Sequence, residues 1–582
     1  MTRSSGAMHV ETSRSHQTLK DGTGRTYERH LLRRSYRDGG KVRKETLANL
    51  SHLPPEAIAA VRAVLAGKTL IDADGGVEVE RSLPHGHAAA VHAMARKLGF
   101  PALLGPPCPE RDLAYALIIS RVLRPASKLS TAGWWGDVTL GADLGVAGAC
   151  TDGIYAAMDW LAARQDGIEK QLARRHLREG GIAMFDLSSS WVEGTHCELA
   201  AYGYSRDGKR GKAQIEYGLL TDPGGRPVAV RVFPGNTGDP KTFPEAVEAV
   251  RGKFALQEMV MVGDRGMITS ARIRDLRKLE GMAWITCLRA PAVKKLMAGD
   301  GPLQLSLFDE QDLAEISSPD YPGERLIACR NPFLAAERAR KRTDLLAATE
   351  GDLAKIAAQV QAGRLKDPAA IGLRAGKVLN KRKMARHVTL DIAERRISWS
   401  RDQASIDAEA LTDGIYVIRT PVPAETLDAP GAVAAYKGLS RLERDFRSIK
   451  AEDLDLRPIR HWLKDRVKAH VLICMLACYL TWHLRKAWAP LTYADEHPPQ
   501  RDNPVAPARR SPSADAKAAR KTGPGNQPLR SFRDLLDHLA TLTRDTIRIA
   551  GQDVDKLTAP TPDQRRAFDL IGAPIPLTLA TT

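Results

Sequence analysis

A chain of 582 residues exceeds what one hydrophobic core usually organises, so two to four domains are expected. Its formal net charge of +17 attracts polyanions and makes nucleic acid the leading partner class. The seven cysteines lack both the pairing of a disulfide framework and the spacing of zinc ligands, and Cys474 and Cys478 read as reduced core thiols one helical turn apart.

The first residues, MTRSSGAMHVETSRSHQ, carry no apolar segment of the kind a secretory signal needs, so export is not expected. Thr26 to Leu50 read as a basic β-hairpin, with Asp38-Gly39-Gly40 as the turn between TYERHLLRRSYR and KVRKETLANL. Together with its flanks it defines an N-terminal DNA-binding region, 1–75, in which Arg29, Arg33, Arg34, Arg37, Lys41, Arg43 and Lys44 face phosphates or simply water. Residues 76–180 are predicted as a helical domain, from spacings such as Ile154, Met158 and Leu161.

At Gly181 the texture changes. Ile182 to Phe185 form a short apolar run ending in Asp186, and IEYGLLTD and RPVAVRVFPG follow as strands of a meander. FPEAVEAVRG reads as a helix, EMVMVGD as a second apolar run ending in an aspartate, Asp264, and AWITCL (Ala283 to Leu288) as another strand, completing 181–290. The charged, largely helical stretch 291–412 is predicted as an insertion domain. A strand, DGIYVIRT, and a helical region from about Leu439 to Trp488 make up 413–490, within which the longest apolar stretch, Ala469 to Leu484, falls short of the roughly 20 residues of a bilayer span and predicts a buried helix. Residues 491–530, rich in Pro, Ala, Lys and Arg, read as a flexible linker, and 531–582 as a C-terminal tail with a short helix between Leu529 and Ile549.

Carboxylates at the ends of neighbouring buried strands are held rigidly and can converge on a divalent cation, and Asp186 and Asp264 have that local setting. A third candidate lies in LSRLERDFRSIK, where Leu439, Leu442, Phe446 and Ile449 mark the apolar face of a helix. Glu443 sits about a quarter turn from the centre of that stripe, and Lys450, seven residues on, returns to nearly the same angle.

These residues carry a resemblance. Tyr436, Glu443 and Lys450 match in register the signature Y-x2-R-x3-E-x6-K of bacterial insertion-sequence transposases of the DDE class, the group of insertion sequence family four and its relatives. Leu439 stands where that signature has its arginine, with Arg441 two residues later. FDLSSSWVEG, VFPGNTGDPKT, VGDRGM and RPIRHWLKDRVKAHVLICMLA are also similar to the family, over about Ile182 to Leu484.

The resemblance implies an α/β fold with an RNase H-like catalytic core, a mixed sheet flanked by helices, interrupted by an insertion before the helix with the last carboxylate. It implies a DDE triad of Asp186, Asp264 and Glu443 that holds two Mg2+ (or Mn2+) ions for DNA cleavage and strand transfer. Double-stranded DNA, both element ends and target, is the implied partner, with a homodimer in the synaptic complex and a cytoplasmic, nucleoid-associated location. No membrane partner is expected. Tyr436 and Lys450 are implied phosphate contacts, and a basic run offers Lys377, Lys381, Arg382, Lys383 and Arg386 as further DNA contacts or as a solvated face. Asn236 and Asp239 form a polar turn in PGNTGD. Two alternatives stay open at this level: a nuclease that cuts without joining, and a transposase-derived DNA-binding protein with a defunct site.

Overall fold

The structure, a computed structural model, describes residues 7–18, 24–38, 41–68, 70, 77–499, 503–523, 526–549 and 551–579. The chain divides into two compact units, Met1–Ser82 with Arg544–Thr558, and Leu83–Thr543 with Ala559–Thr582.

In the first unit the expected hairpin is one part of a three-stranded antiparallel sheet of β1 (Met8–Thr18), β2 (Gly24–Asp38) and β3 (Lys41–Asn49). Asp38 pairs with Lys41, and the expected turn at glycines 39 and 40 lies outside the described residues. The helix Pro55–Leu65 follows and reaches β1 through Arg62, which donates to the Thr12 hydroxyl. A second sheet of this unit joins β4 (Val77–Pro84) to β15 (Thr543–Ile549) and β16 (Gln552–Leu557). The helix expected from Leu529 to Ile549 is therefore shorter, Phe532–Ala540, and the alternating TRDTIRI that follows becomes a strand because β16 and β4 supply its hydrogen bonds.

The second unit is built on a mixed eight-stranded sheet. Its strands are β5 (Gly181–Trp191), β6 (Gln214–Thr221), β7 (Pro227–Pro234), β8 (Met259–Val262), β9 (Met282–Cys287), β10 (Leu313–Ile316), β11 (Arg325–Arg330) and β14 (Ile415–Thr420). Their order is β10-β11-β14-β9-β8-β5-β6-β7, with β5, β8 and β9 parallel and the remaining neighbours antiparallel. β8 reads Met-Val-Met-Val with no polar alternation because both of its faces are covered.

The helices before β5 do not form a separate domain, contrary to the division at residue 180. Helices Pro109–Leu123 and Thr151–Ala163 pack on the long helix Lys464–Ala487, which also covers β7, so sheet and helices share one hydrophobic core. That long helix has the length and apolarity of a membrane span, longer than the sequence suggested, but most of its apolar window is buried inside the protein.

Three other boundaries move. The insertion predicted over 291–412 narrows: β10 and β11 extend the main sheet, whereas the segment from the helix Pro332–Gln361 through β12 (Val388–Ala393) and β13 (Arg396–Arg401) has its own core around Leu353, Ile371 and Ile397. The continuous helix expected from Leu439 breaks after Arg447 into a π-helical turn, Ser448–Glu452, and an irregular stretch before Lys464. There the Asp453 carboxylate accepts from the Ser448 hydroxyl, and Pro458 has no N–H to continue a helix. The expected linker 491–530 is packed in its described part. It contains the helix Pro512–Arg520, and the buried Lys517 ammonium donates to the carbonyls of Ala489, Thr492 and Ala494 and to Glu496. A composition that looked solvated hides a lysine turned inward onto chain it must hold.

Candidate active site

β5 and β8 run parallel, and their last paired residues are Met184 and Val262. Asp186 and Asp264 each lie two residues further on, so neighbouring strands bring both carboxylates to the same level where β8 ends and β5 continues. Gly218 on β6 helps: a side chain there would collide with the Phe185 ring, which packs inward next to Asp186. One Asp264 oxygen accepts the N–H groups of Gly266 and Met267, each at 2.8 Å, which locks the turn and leaves the other oxygen free of those bonds. Asp186 accepts from its neighbour Leu187 at 2.8 Å. Burial lifts the Asp186 carboxyl to about 7, and the negative charges of Asp264 and Glu443 push in the same direction against the Leu187 N–H and Arg206. Three acidic groups therefore share one field.

The third of these stands on the helix Leu439–Arg447. Leu442 and Phe446 bury its inner face, with the Phe446 ring edge-on to Tyr217 of β6 at 5.7 Å between centroids. Glu443 projects into solvent with no hydrogen bond or ion pair among the described residues. Arg441 and Asp445, each two residues away and so about 200° round the helix, face elsewhere. Arg441 donates to the Pro223 carbonyl and so does not stand in for the signature arginine beside Glu443. Asp445 is buried near Arg444 and Arg485, and burial holds its carboxyl up at about 8. Among the described residues no three His, Cys, Asp or Glu side chains are gathered as a ready metal set. Of the three candidates Glu443 is the one with freedom to swing inward.

Tyr436, on the preceding helix Ala429–Lys437, lies half-buried against the Cys287 thiol at the end of β9, close enough for Asp264 and Arg265 to act on it electrostatically. Lys450 does not sit on a continuous α-helix two turns beyond Glu443. It falls in the π-helical turn, and its ammonium donates to Asp207 at 2.9 Å. Asp207 also accepts from Arg457 at 2.6 Å.

Residues of the β5–β6 loop complete the polar surroundings, and sequence reasoning passed over them. Arg206 bridges Glu216 of β6 and Asp239, each at 2.5 Å. Burial raises the Glu216 carboxyl to about 7 despite the Arg206 charge. A side chain on Gly266 would lie 3.2 Å from Asp264 and 3.6 Å from Asp239, so this ion-pair cluster borders the carboxylate pair. Glu216 had a signal, an acid inside the otherwise apolar IEYGLLT; Arg206 had none, because loops carry no period.

Several of the basic candidates are held by carboxylates. In the 332–412 segment Arg382 is tied to Asp352 at 2.7 Å and Arg386 to Glu409 at 2.6 Å, whereas Lys377, Lys381 and Lys383 are exposed. In the first unit Arg33 bonds Glu11 and Arg34 bonds Glu45, both at 3.1 Å. Lys41 and Arg43 are exposed on β3, and Arg29 and Arg37 on β2.

Residues 17–74 match the IS1634 family transposase N-terminal domain, and residues 186–480 match the Transposase DDE domain. No curated protein matches the chain. A solved structure, the piggyBac transposase synaptic complex with hairpin DNA determined by cryo-EM, aligns at 9% identity over 78% of this chain and 76% of that one, with a TM-score of 0.32. The DDE match begins at Asp186 itself, takes in Asp264 and Glu443, and covers just over half of the 582 residues. This chain belongs to the DDE transposases of insertion sequences, enzymes that act on DNA by cleavage and strand transfer.

Proposed function

We propose that Asp186, Asp264 and Glu443 are the catalytic carboxylates of this transposase, that they hold two Mg2+ (or Mn2+) ions, and that their scaffold is an RNase H-like core. The observation that carries the reading is the register of β5 and β8, which sets Asp186 on β5 level with Asp264 two residues past the end of β8. The donor set fits a hard divalent cation: all oxygen, anionic, with Asp186 costly to ionise first because it is buried and then because two other carboxylates act on it. Metal held there supplies Lewis acidity toward the phosphodiester and its attacking oxygen. Asp264, braced by two backbone N–H groups, is the rigid member, and Glu443 on its separate helix is the one that closes on the substrate.

The mixed sheet flanked by helices, with an insertion ahead of the signature helix, supports the RNase H-like assignment. The spacing of Tyr436, Glu443 and Lys450, together with Tyr436 beside Asp264, supports grouping with the Y-R-E-K transposases. Lys377, Lys381 and Lys383, with Lys41 and Arg43, are the proposed phosphate contacts, and a homodimer on paired element ends, working on nucleoid DNA in the cytoplasm, is the proposed assembly.

The test uses donor DNA bearing the inverted repeats that flank the reading frame. Wild-type protein should cleave and join ends only with Mg2+ or Mn2+, whereas Asp186→Asn, Asp264→Asn and Glu443→Gln should bind that DNA and do neither. Near-normal cleavage by any of the three removes that residue from the set.

A further inference from the structure

Three of the four most exposed aromatic side chains among the described residues gather around one loop. Tyr202 and Tyr204 are 75% and 81% exposed on the connection between β5 and β6, and Trp462, 61% exposed, lies against the same connection. Trp462 reaches it at His196, with ring centroids 5.7 Å apart, and through its carbonyl, which accepts the Glu198 N–H at 3.4 Å.

Large rings left in water on a mobile loop would be unremarkable, but this loop is pinned. The Ala201 and Gln214 backbones exchange hydrogen bonds, and the Arg206 N–H donates to the Ser189 hydroxyl at 3.1 Å. Arg206 and Asp207 anchor the loop through the ion pairs to Glu216, Asp239, Lys450 and Arg457. Gly203 presses so close to the Gly235 carbonyl that no side chain fits between them, leaving the tyrosines on either side to face outward.

Beyond the anchor the charge is positive. Lys209 and Arg457 both lie on the Trp191 ring, at 5.2 Å and 5.1 Å from its centroid, and Arg210 is exposed at the tip. Exposed π-faces interleaved with cations suit bases that are already out of a duplex, because stacking takes any base while ammonium and guanidinium groups follow the phosphates. Paired bases cannot offer those faces.

We propose that the β5–β6 loop is a subsite for unpaired DNA, in which Tyr202, Tyr204 and Trp462 stack bases and Lys209 and Arg210 take the adjoining phosphates, next to the carboxylates. This rests on the carboxylate reading only for what the bound strand lies beside. Because Arg206 ties the loop to Asp239, and Asp239 borders Asp264, a strand lying on the loop runs toward the reacting position.

The experiment uses full-length Glu443→Gln protein without metal, so that no cleavage enters the measurement. Its probes are fluorescein-labelled oligo(dT), a random-sequence duplex, and oligo(dT) carrying one 2-aminopurine. Expected are quenching of 2-aminopurine on binding and a weakening of oligo(dT) affinity by about fivefold or more in Tyr202→Ala/Tyr204→Ala and in Trp462→Ala. Duplex affinity should change less than about twofold, and Tyr202→Phe/Tyr204→Phe, which keeps both rings, should bind oligo(dT) as the parent does. Unquenched 2-aminopurine in the parent complex overturns the proposal, as does unchanged oligo(dT) affinity in the alanine variants or equal weakening toward both DNA forms. If instead the carboxylate assignment is wrong, a separate assay of the Glu443→Gln protein with Mg2+ and element-end DNA shows cleavage, while the metal-free binding result stands.

Discussion

Lys450 and Asp207 meet at 2.9 Å with side chains only 12% and 2% exposed, so the signature lysine is bonded to the loop that borders the carboxylates before any DNA arrives. Burial pulls the ammonium below its usual range, and Asp207 opposes that fall. Lys450→Ala should therefore destabilise the protein by about 1–3 kcal/mol, through a buried carboxylate left with Arg457 alone. A solvated flank would cost at most about 0.5 kcal/mol. Denaturant unfolding of Lys450→Ala and Asp207→Asn separates two roles. If the lysine also contacts DNA phosphate, Asp207→Asn keeps end-DNA affinity while Lys450→Ala loses it; equal losses leave only the structural role.

Phe446 bears on Glu443 through packing. Its ring fills the contact with Tyr217, and Phe446→Ala should cost about 3–5 kcal/mol. Phe446→Leu, which keeps most of the volume, should fold and retain DNA binding while cleavage falls, because the helix that carries Glu443 loses its seating. Cleavage at the parental rate in Phe446→Leu would show that the helix position tolerates a looser contact.

The first unit makes a claim about charge. Arg33, Arg34 and Lys44 are held by Glu11 and Glu45, whereas Arg29, Arg37 and Lys41 are exposed. Alanine at the latter three should weaken duplex binding by the full-length protein and flatten its salt dependence by about 0.9 in log-log slope for each phosphate that is no longer neutralised. An unchanged slope assigns the sheet a structural role and moves DNA binding elsewhere.

A pH effect arises far from the carboxylates. Lys128 is buried beside Arg121 and donates to His470 Nδ1 at 3.0 Å, and burial brings its pKa from 10.5 down to about 7. Between those values the unfolded chain holds the proton and the folded chain does not, so this group makes stability rise as pH climbs from about 7 toward 10. Below about 7 both states are protonated and the full cost of the buried charge remains. Lys128→Met should accordingly gain melting temperature over wild type most at pH 6–7 and least near pH 10. Parallel melting curves across that range would mean the lysine is solvated.

By itself the sequence determined the chemistry-bearing parts that are local. The apolar runs ending in Asp186 and Asp264 became β5 and β8 because continuous apolar residues suit strands covered on both faces, and the stripe of Leu442 and Phe446 did bury one side of a helix. The basic hairpin was legible from its turn residues, and the family match runs through the same motifs. Everything that depends on distant partners was decided only by the tertiary structure. β15 is a strand because β4 and β16 flank it, Lys517 turns inward because carbonyls await it, and Lys450 leaves the face of Glu443 because a π-helical turn redirects it to Asp207. Local periodicity reports which face of an element is apolar; it says nothing of which charge from another part of the chain will meet a given lysine, and desolvation makes those meetings decide where the side chains of the site lie.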